Sequence, residues 1–502
     1  MAVFLDNSNR KIVPRWRDSA VTIQLGELNA PVTISGGTLS DSNYLTKLAD
    51  WQTHKSLRYA ADLVSAAVVI GRHEEAKEAA EYLEGSGEAS TAILQLAQIV
   101  IDETKPPDPF EAYSGIQKND WMEIAATKLR VRADPENALA WIDLGRHYTN
   151  FGIVSKASKC IRVALTLQPE NRFVLRSAAR FYIHVNEAEH AFNLLYKSPA
   201  TQVDPWLLSA EIATACVLDV SPRFVRVARK MIESGNHPLL HLSELLTALG
   251  TLDLMSGARR KARQLFERAL LQPTENAVAQ ATWTIDKGIE LNSDLLESKS
   301  ELSHEAKSIK LFLASKWQES SKEGQKWLED QPFSIRPAVH SSYVLSTLLE
   351  DYSRSIAILQ KSLSANPRDP VLLNNLAFSY VHLGELEKAK GAFAKISRSS
   401  LNDRTEIPWT ATMGLLHFRT NEPELGRQSY LRAISLAKEK SLPKLVALAA
   451  INLAREEFRL RTSEASKFLE LAREHSKRVS DPDIAVLIKR LEKINTPPEN
   501  QP

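Results

Sequence analysis

Residue types that could support catalysis or metal binding are sparse in this chain of 502 residues. It contains no glycine loop ending in Gly-Lys-Ser/Thr, no G-x-G-x-x-G, no H-E-x-x-H and no Cys-x-x-Cys. His237 and His241 have helical i, i+4 spacing and would share one helix face, as two zinc ligands do. No third ligand stands near them in the sequence, so packed or exposed histidines are the simpler interpretation. These patterns predict a protein that is not an enzyme and has no cofactor or metal site.

The composition is that of a folded and electrically balanced chain. It has 63 Lys+Arg and 61 Asp+Glu, a net charge of +2, and 43% hydrophobic residues. A generally polybasic nucleic-acid binder is therefore not expected. Cys160 and Cys216 are the only cysteines, which is too few for a disulfide framework and favours a reducing compartment.

The sequence offers no targeting or membrane-spanning signal. The first residues include Asp6 and lack the long apolar core of a signal peptide. The longest apolar stretches, such as Leu63–Ile70, are far too short to cross a bilayer. We expect a cytoplasmic protein that does not enter a membrane.

A repeating pattern of small, aromatic and apolar residues between Ala138 and Asn171 predicts a helical hairpin. Gly145 and Ala157 allow two helices to approach closely, and larger side chains fill the space around them. Pro169 ends the second helix, and Pro135 lies one repeat length earlier. The positions that carry the pattern are Trp141, Leu144, Gly145, Tyr148, Ala157, Ile161, Ala164 and Pro169.

This signature resembles the tetratricopeptide family, whose repeats are 34 residues long. A second good copy runs from Pro370 to Asp403, and weaker copies start near Arg172, Ser243, Arg336 and Glu406. The resemblance implies an all-α fold, a right-handed α-solenoid of helical hairpins whose first helices line a concave groove. We divide the chain into an N-terminal arm (1–45), a leading helical segment (46–104), a first repeat array (105–288), a degenerate connector (289–335), a second array with a capping helix (336–495) and a disordered tail (496–502).

The arm departs from the helical pattern. Residues 21–25 and 31–34 have the β-branched alternation of extended chain, and turn-forming residues separate them. Such an arm could occupy a groove or add to the sheet edge of a partner. The alternative is a loosely docked tail. We expect a non-helical segment in either case.

The repeat register places several polar side chains on first helices, and the resemblance implies that these face the groove. Three guanidiniums from adjacent first helices could bind a carboxylate or an acidic peptide. The alternative is that they only form surface ion pairs. The predicted partner-binding residues of the first array are Arg146, Arg176, Arg180 and His184.

A second predicted patch mixes apolar and hydrogen-bonding groups in the second array. It consists of Asn374, Phe378, His382 and Arg419. One tetratricopeptide subclass clamps a C-terminal carboxylate with lysine, asparagine and arginine, but Ile142 and Arg146 replace two of those residues here. Asn375 does occupy an expected asparagine position, although His340 and Val344 break the set around it. Recognition of that kind of tail is therefore disfavoured.

A basic ridge on second helices favours a different class of partner. Arg223, Arg226 and Lys230 share one helix face, and Arg259, Arg260 and Arg263 recur on a later helix. Such a ridge could touch phosphates, although we expect no aromatic stacking partners among these charges. Nucleic acid is a less favoured partner.

We therefore expect a non-catalytic scaffold or adaptor that binds a partner protein or peptide, of acidic character if the arginines contact it, in the concave groove. The alternatives are a nucleic-acid-associated repeat protein that uses the basic ridge and a regulator that senses a peptide. The sequence does not indicate the oligomeric state.

Overall fold

A computed structural model of the chain describes residues 1–6, 10–19, 41–70, 72–89, 91–103 and 111–495. The predicted β-alternating stretches of the arm, the proline-rich break at 105–109 and the tail at 496–502 lie outside these residues. Within them, the secondary structure is helical apart from turns and the irregular segments 1–6 and 10–18. The predicted all-α solenoid is confirmed, and the arm is non-helical over the described residues 1–6 and 10–18.

The helices follow one another through short turns. In chain order they are α1 Asp41–Thr53, α2 Leu57–Ile70, α3 His73–Ser86, α4 Thr91–Glu103, α5 Glu111–Ala133, α6 Ala138–Asn150, α7 Val154–Leu167, α8 Arg172–His184, α9 Ala188–Lys197, α10 Pro205–Leu218, α11 Val225–Ser234, α12 Leu239–Met255, α13 Arg259–Ala269, α14 Glu275–Trp283, α15 Ser293–Ser300, α16 His304–Leu313, α17 Trp317–Asp330, α18 Ile335–Tyr343, α19 Tyr352–Ala365, α20 Pro370–Leu383, α21 Leu386–Ala394, α22 Asp403–Arg419, α23 Pro423–Glu439, α24 Pro443–Leu460, α25 Ala465–Ser476 and α26 Pro482–Asn495.

Side-chain caps fix where the first helices begin. Asn137 accepts a hydrogen bond from the Ala140 amide at the start of α6, and Asn171 does the same for α8 after the turn at Pro169. Asp369 caps α20, whose first residue is Pro370. These caps satisfy amides that have no partner within the helix, while proline fits the first turn because its missing N–H is not needed there.

The turn inside each hairpin needs one residue in the left-handed region. Gly384 takes φ 80° between α20 and α21, and Asn186 takes φ 64° between α8 and α9. Glycine and asparagine adopt this conformation at low cost. The predicted close approach is also present, because a Cβ on Gly145 would lie 3.4 Å from both Cys160 Cβ and Ile161 Cδ1.

The chain forms two compact units, which we describe separately. Residues Arg10–Leu295 make the N-terminal unit, and residues Met1–Asn9 with Leu296–Pro502 make the C-terminal unit. In each unit successive first helices contact one another: α6, α8, α10, α12 and α14 in the N-terminal unit, and α18, α20, α22 and α24 in the C-terminal unit. We call the surface that they form the first-helix face of that unit.

A close helix crossing in the C-terminal unit joins α22 and α23 through two glycines. A Cβ on Gly414 would lie 2.9 Å from both the Gly426 carbonyl oxygen and Tyr430 Cδ2. We expect Gly414→Ala to lower the free energy of unfolding by about 1–3 kcal/mol because the backbone must move apart. Urea denaturation measures this loss.

Gly391 provides the matched control, since a Cβ there meets nothing within 4 Å inside helix α21. Gly391→Ala should raise the free energy of unfolding by about 0.4–1 kcal/mol, because alanine loses less backbone entropy on folding. Equal stability of Gly414→Ala and wild type would contradict the close crossing.

Candidate functional site

The described part of the N-terminal arm lies on the first-helix faces. In the N-terminal unit residues 10–19 are bound there, and in the C-terminal unit residues 1–6 are bound. The arm residues with less than a tenth of their surface exposed are Met1, Ala2, Arg10, Ile12, Pro14, Trp16, Arg17 and Ser19. The described arm is therefore part of the packed structure of both units.

Apolar packing and backbone hydrogen bonds hold residues 12–16 in the N-terminal unit. Ile12 joins the apolar core formed by α10, α11 and α12. Trp16 is completely buried, and its ring meets Phe181 edge to face with centroids 6.3 Å apart. The Arg146 Nε donates a hydrogen bond of 3.1 Å to the Trp16 carbonyl oxygen. Helices α6 and α8 thus bind both the side chain and the backbone of this segment.

Polar side chains fix the two ends of the same segment. At one end Arg10 donates from Nη2 to Asn276 Oδ1 at 3.0 Å, and a second guanidinium nitrogen donates to Gln280 Oε1. At the other end Asp143 accepts the Ser19 amide at 2.8 Å and the Ser19 hydroxyl at 2.6 Å. Burial raises the pKa of Asp143, whereas Arg130 and the Ser19 hydrogen bonds oppose that rise.

Two arginines that share one carboxylate add to these contacts. Arg15 and Arg17 both contact the Glu275 carboxylate at the start of α14, and their side chains are only 6% and 7% exposed. Asn276, the next residue, donates from Nδ2 to the Val13 carbonyl oxygen at 3.0 Å. Helix α14 therefore binds both the charged side chains and the backbone of the arm.

The four predicted residues of the first array all lie on α6 and α8. Arg146 contacts the arm directly. Arg176 donates to Glu244 Oε2 at 2.8 Å and lies over the Trp206 ring. Arg180 is buried, and burial together with nearby Arg15 lowers its pKa to about 10. Burial also lowers the pKa of His184 to about 3, with a further contribution from Arg180.

In the C-terminal unit, amide side chains bind the backbone of residues 1–3. Asn375 accepts the Val3 amide at 2.6 Å and donates from Nδ2 to the Val3 carbonyl oxygen at 2.9 Å. The neighbouring Asn374 donates from Nδ2 to the Met1 carbonyl oxygen at 3.0 Å. Thr412 donates to the same oxygen at 3.1 Å and accepts a hydrogen bond from the Met1 amine. These contacts recognise the backbone and therefore do not depend on the side chains of the bound segment.

Two side chains of this segment have specific partners. The Phe4 ring meets Tyr343 edge to face at 6.0 Å, and Lys444 Nζ lies 4.4 Å from its centroid. Asp6 forms an ion pair with Arg404. The bound segment thus combines backbone hydrogen bonds with one aromatic and one acidic contact.

The four predicted residues of the second array lie on α20 and α22. Asn374 binds the arm as described, and Phe378 is buried with its ring edge-on to His382 at 4.5 Å. His382 Nε2 contacts Arg455 Nη2 at 2.9 Å. Arg419 makes two hydrogen bonds of 3.0 Å to Glu456. That these residues bind a partner stays a prediction.

Sequence reasoning named two residues that bind the arm directly, Arg146 and Asn374, and missed most of the others. The missed residues are Asp143, Glu275, Asn276, Gln280, Asn375 and Thr412. The signal that could have indicated them is a set of polar side chains at buried positions of first helices. Each buried side-chain amide needs a hydrogen-bond partner. A helix that packs only against apolar neighbours offers none, so buried amides on a helix indicate that a polar segment binds there.

Buried neutral histidines on the first-helix faces predict a loss of stability in acid. Burial lowers the pKa of His340 to about 4, so between about pH 6.5 and pH 4 the unfolded state binds its proton more readily. The stabilisation is complete above about pH 6.5 and is lost as the pH falls, by about 1.4 kcal/mol per pH unit for each such histidine. Urea denaturation at pH 7.5 and pH 5.0 measures this loss.

His340→Gln should reduce the difference between the two pH values. His54→Gln, at an exposed position, should leave it as in the wild type. Identical pH dependence in His340→Gln and wild type would contradict the buried neutral state.

The basic ridge has aromatic neighbours that come from the preceding helix. Tyr196 stacks on Phe224 with centroids 5.8 Å apart, and the Arg223 guanidinium lies 5.7 Å from the Tyr196 centroid. Arg223, Arg226 and Lys230 are exposed. Arg263 pairs with Glu267, and Arg259 donates to the backbone at Lys287 and Gly288. The expected absence of aromatic residues among the charges is thus corrected, since Tyr196 comes from helix α9.

The described part of the chain has neither a cluster of metal ligands nor a membrane-spanning helix. Over those residues, no three His, Cys, Asp or Glu side chains come close enough together to hold a metal ion. None of the helices described above has the length and apolar character needed to cross a bilayer.

Comparison with known proteins gives one family match. The model of the tetratricopeptide repeat matches residues 358–391, which run from α19 into α21. No curated protein sequence matches the chain significantly.

Solved structures similar to this chain have low sequence identity to it. The APC/C hetero-tetramer Cut9-Hcn1 is 13% identical, with 91% of this chain and 87% of that chain covered and a TM-score of 0.38. Yeast Tom70 is 12% identical, with 88% and 95% covered and a TM-score of 0.30. A tetratricopeptide repeat protein from Parabacteroides merdae is 13% identical, with 62% and 98% covered and a TM-score of 0.24. No functional statement follows from these values.

The matched repeat is flanked by hairpins with the same capping, turn and close-packing features in both units. Residues 358–391 are thus a tetratricopeptide repeat, and the neighbouring hairpins give the chain a tetratricopeptide-like helical architecture.

Proposed function

We propose that the protein is a non-catalytic scaffold whose first-helix faces, the concave groove expected from the sequence, bind extended segments of a partner polypeptide. The N-terminal arm is the occupant of these faces in the isolated chain. The observation that carries the proposal is the paired hydrogen bonding of Asn375 to the amide and carbonyl of Val3. A surface that binds one extended backbone in this way can bind another, because its hydrogen bonds are made to main-chain amide and carbonyl groups.

The predicted partner-binding residues fit this role in two ways. Arg146 and Asn374 bind carbonyl oxygens of the arm, so they would bind a partner backbone by the same donors. Arg176, Arg180 and His184 on α8, Phe378 and His382 on α20, and Arg419 on α22 lie on first helices of the same two faces. A partner must displace the arm, and it competes against an intramolecular ligand whose effective concentration is about millimolar.

The state of the cysteines supports a reducing compartment such as the cytoplasm. Cys160 and Cys216 are both free thiols. Burial raises the pKa of the Cys160 thiol to about 11 and also raises that of Cys216. Such thiols react slowly because the thiolate is the reactive form.

A labelled synthetic peptide of residues 1–19 tests the proposal directly. Full-length protein carrying Trp16→Ala, whose own arm is weakened, should bind the peptide with a dissociation constant of about 1–100 μM, in the range of peptide motifs. Wild-type protein should bind it at least tenfold more weakly because its own arm competes. Fluorescence anisotropy measures both values.

Two controls give this experiment a clear outcome. A peptide in which Phe4 and Trp16 are replaced by alanine should bind weakly to both proteins, since both rings are lost. Equal binding of the native peptide to wild type and to Trp16→Ala, or no binding to either, would show that the faces do not accept polypeptide in trans.

The basic ridge supports a second candidate, contact with single-stranded nucleic acid. The observation that favours it is the stack of Tyr196 and Phe224 beside the exposed Arg223, because aromatic faces and cations together bind bases and phosphates. Arg226, three residues further along the chain, is also exposed. Binding of an oligonucleotide should fall steeply with salt and should weaken when both arginines are changed to glutamine. Unchanged binding in that variant would exclude the ridge.

A further inference from the structure

Three arginines surround a single buried carboxylate at the end of the first-helix face of the C-terminal unit. Glu456 on α24 is completely buried. It accepts two hydrogen bonds of 3.0 Å from Arg419 and one of 3.0 Å from Arg459. Arg455 Nε lies 3.7 Å from the same carboxylate. We call Arg419, Arg455 and Arg459 the three-arginine cluster.

The positive charge of this cluster exceeds the negative charge that faces it. Three guanidiniums against one carboxylate leave a surplus of two positive charges. Glu350, whose charge acts on the neighbouring Tyr352, has its own ion pair with Arg490 at 3.8 Å. The Met1 amine, which Arg455 also influences, adds no negative charge.

The neighbouring side chains respond to this surplus. Burial lowers the pKa of His382, and Arg455, Arg419 and Arg459 lower it further, so the imidazole stays neutral. It accepts a guanidinium hydrogen bond from Arg455 and stacks on Tyr352 with centroids 4.7 Å apart. A protonated histidine would add to the repulsion, so the site is built to keep it uncharged.

A buried hydroxyl without a protein partner lies next to the cluster. Tyr430 has no exposed surface, and its hydroxyl has no hydrogen-bond partner among the described residues. The Tyr430 ring lies 6.1 Å from the ring of Phe418, and the Phe418 carbonyl oxygen accepts a hydrogen bond from Arg459, so Tyr430 packs beside the cluster. Buried polar groups in native structures normally have partners, so an unpaired hydroxyl beside surplus cations indicates a place for a ligand oxygen.

The side chains of the three-arginine cluster are partly exposed to solvent. The side chain of Arg459 is 40% exposed, and those of Arg455 and Arg419 are 24% and 23% exposed. Each guanidinium has five N–H donors, and Glu456 uses only some of them. Planar guanidiniums bind phosphate oxygens through paired hydrogen bonds.

We infer that the three-arginine cluster binds a doubly charged oxyanion, the phosphate monoester of a phosphorylated side chain on a partner polypeptide. A phosphate monoester carries about −1.5 to −2 at neutral pH and so matches the surplus of two positive charges, whereas a single carboxylate neutralises only half of it. The inference rests on the proposed function only in placing the phosphate on a polypeptide. Binding of the phosphate group itself can be measured without any peptide.

The test uses the full-length protein and isothermal titration calorimetry at constant ionic strength. The probes are inorganic phosphate, N-acetyl-phosphoserine amide, N-acetylglutamate amide and N-acetylserine amide. Phosphate and the phosphoserine compound should bind with dissociation constants of about 1 mM, a reasonable strength for one oxyanion site. The glutamate compound should bind about tenfold more weakly, and the serine compound should not bind.

Arg459→Gln should weaken both phosphate probes about tenfold, because charged hydrogen bonds are lost while the Arg419–Glu456 pair remains. Arg432→Gln, at an exposed position on α23, should bind as the wild type does. Melting curves of both variants confirm that they fold. Absence of phosphate binding, or equal weakening by both substitutions, would overturn the inference.

The two proposals can fail separately. Phosphate binding without arm-peptide binding would leave an oxyanion site on a face that accepts no polypeptide. Arm-peptide binding without phosphate binding would leave the scaffold and remove the phosphate site.

Discussion

Glu275→Gln is expected to lower the free energy of unfolding of the N-terminal unit by about 3–5 kcal/mol, the usual cost of leaving buried charges without their partner. Arg15 and Arg17 lose their shared carboxylate, although each has less than a tenth of its side chain exposed. Glutamine has nearly the same shape as glutamate, so the loss of unfolding free energy measures the contribution of the negative charge. Urea denaturation followed by circular dichroism measures it.

An exposed ion pair in the same unit provides the control. Arg263 and Glu267 form an i, i+4 pair with side chains 51% and 30% exposed. Glu267→Gln should cost about 0.3–0.5 kcal/mol, as exposed helix pairs do. If Glu275→Gln lowered the free energy of unfolding by no more than Glu267→Gln does, the ion pairs of Arg15 and Arg17 with Glu275 would not hold the arm.

Trp16→Ala is expected to have a comparable effect and to release the arm from the N-terminal unit. Removing a fully buried tryptophan costs about 3–5 kcal/mol through lost contacts and the cavity left behind. The Phe181 ring loses its edge-to-face neighbour. Hydrogen exchange measured by mass spectrometry should therefore accelerate over residues 10–19, and urea denaturation should show the lost stability.

Val203→Ala serves as the matched apolar control, because that side chain is 70% exposed. It should change neither the stability nor the exchange of the arm. A Trp16→Ala protein whose arm exchanges as slowly as that of the wild type would show that the other contacts hold the arm without the indole.

The helical hairpins could be predicted from the sequence because their determinants are local. Gly145, Ala157 and Pro169 fall within one repeat, and each acts on a helix or turn within the same hairpin. The register also placed Arg146 and Arg176 on first helices correctly. Local spacing therefore sufficed for the fold.

The position of the arm could not be predicted because its contacts join distant parts of the chain. Ser19 binds Asp143 across 124 residues, and Val3 binds Asn375 across 372 residues. An irregular extended segment has no periodicity that would indicate such partners. The countercharge of Arg176 is equally remote, since Glu244 lies 68 residues further along the chain.

Backbone hydrogen exchange over residues 1–19 of the wild-type protein tests the central claim most directly. The amides of Val3 and Ser19 donate to side chains of first helices, so peptides that contain them should exchange many times more slowly than an unstructured chain. Complete exchange of residues 1–19 within seconds would contradict the account, because no occupant would then be held on the first-helix faces.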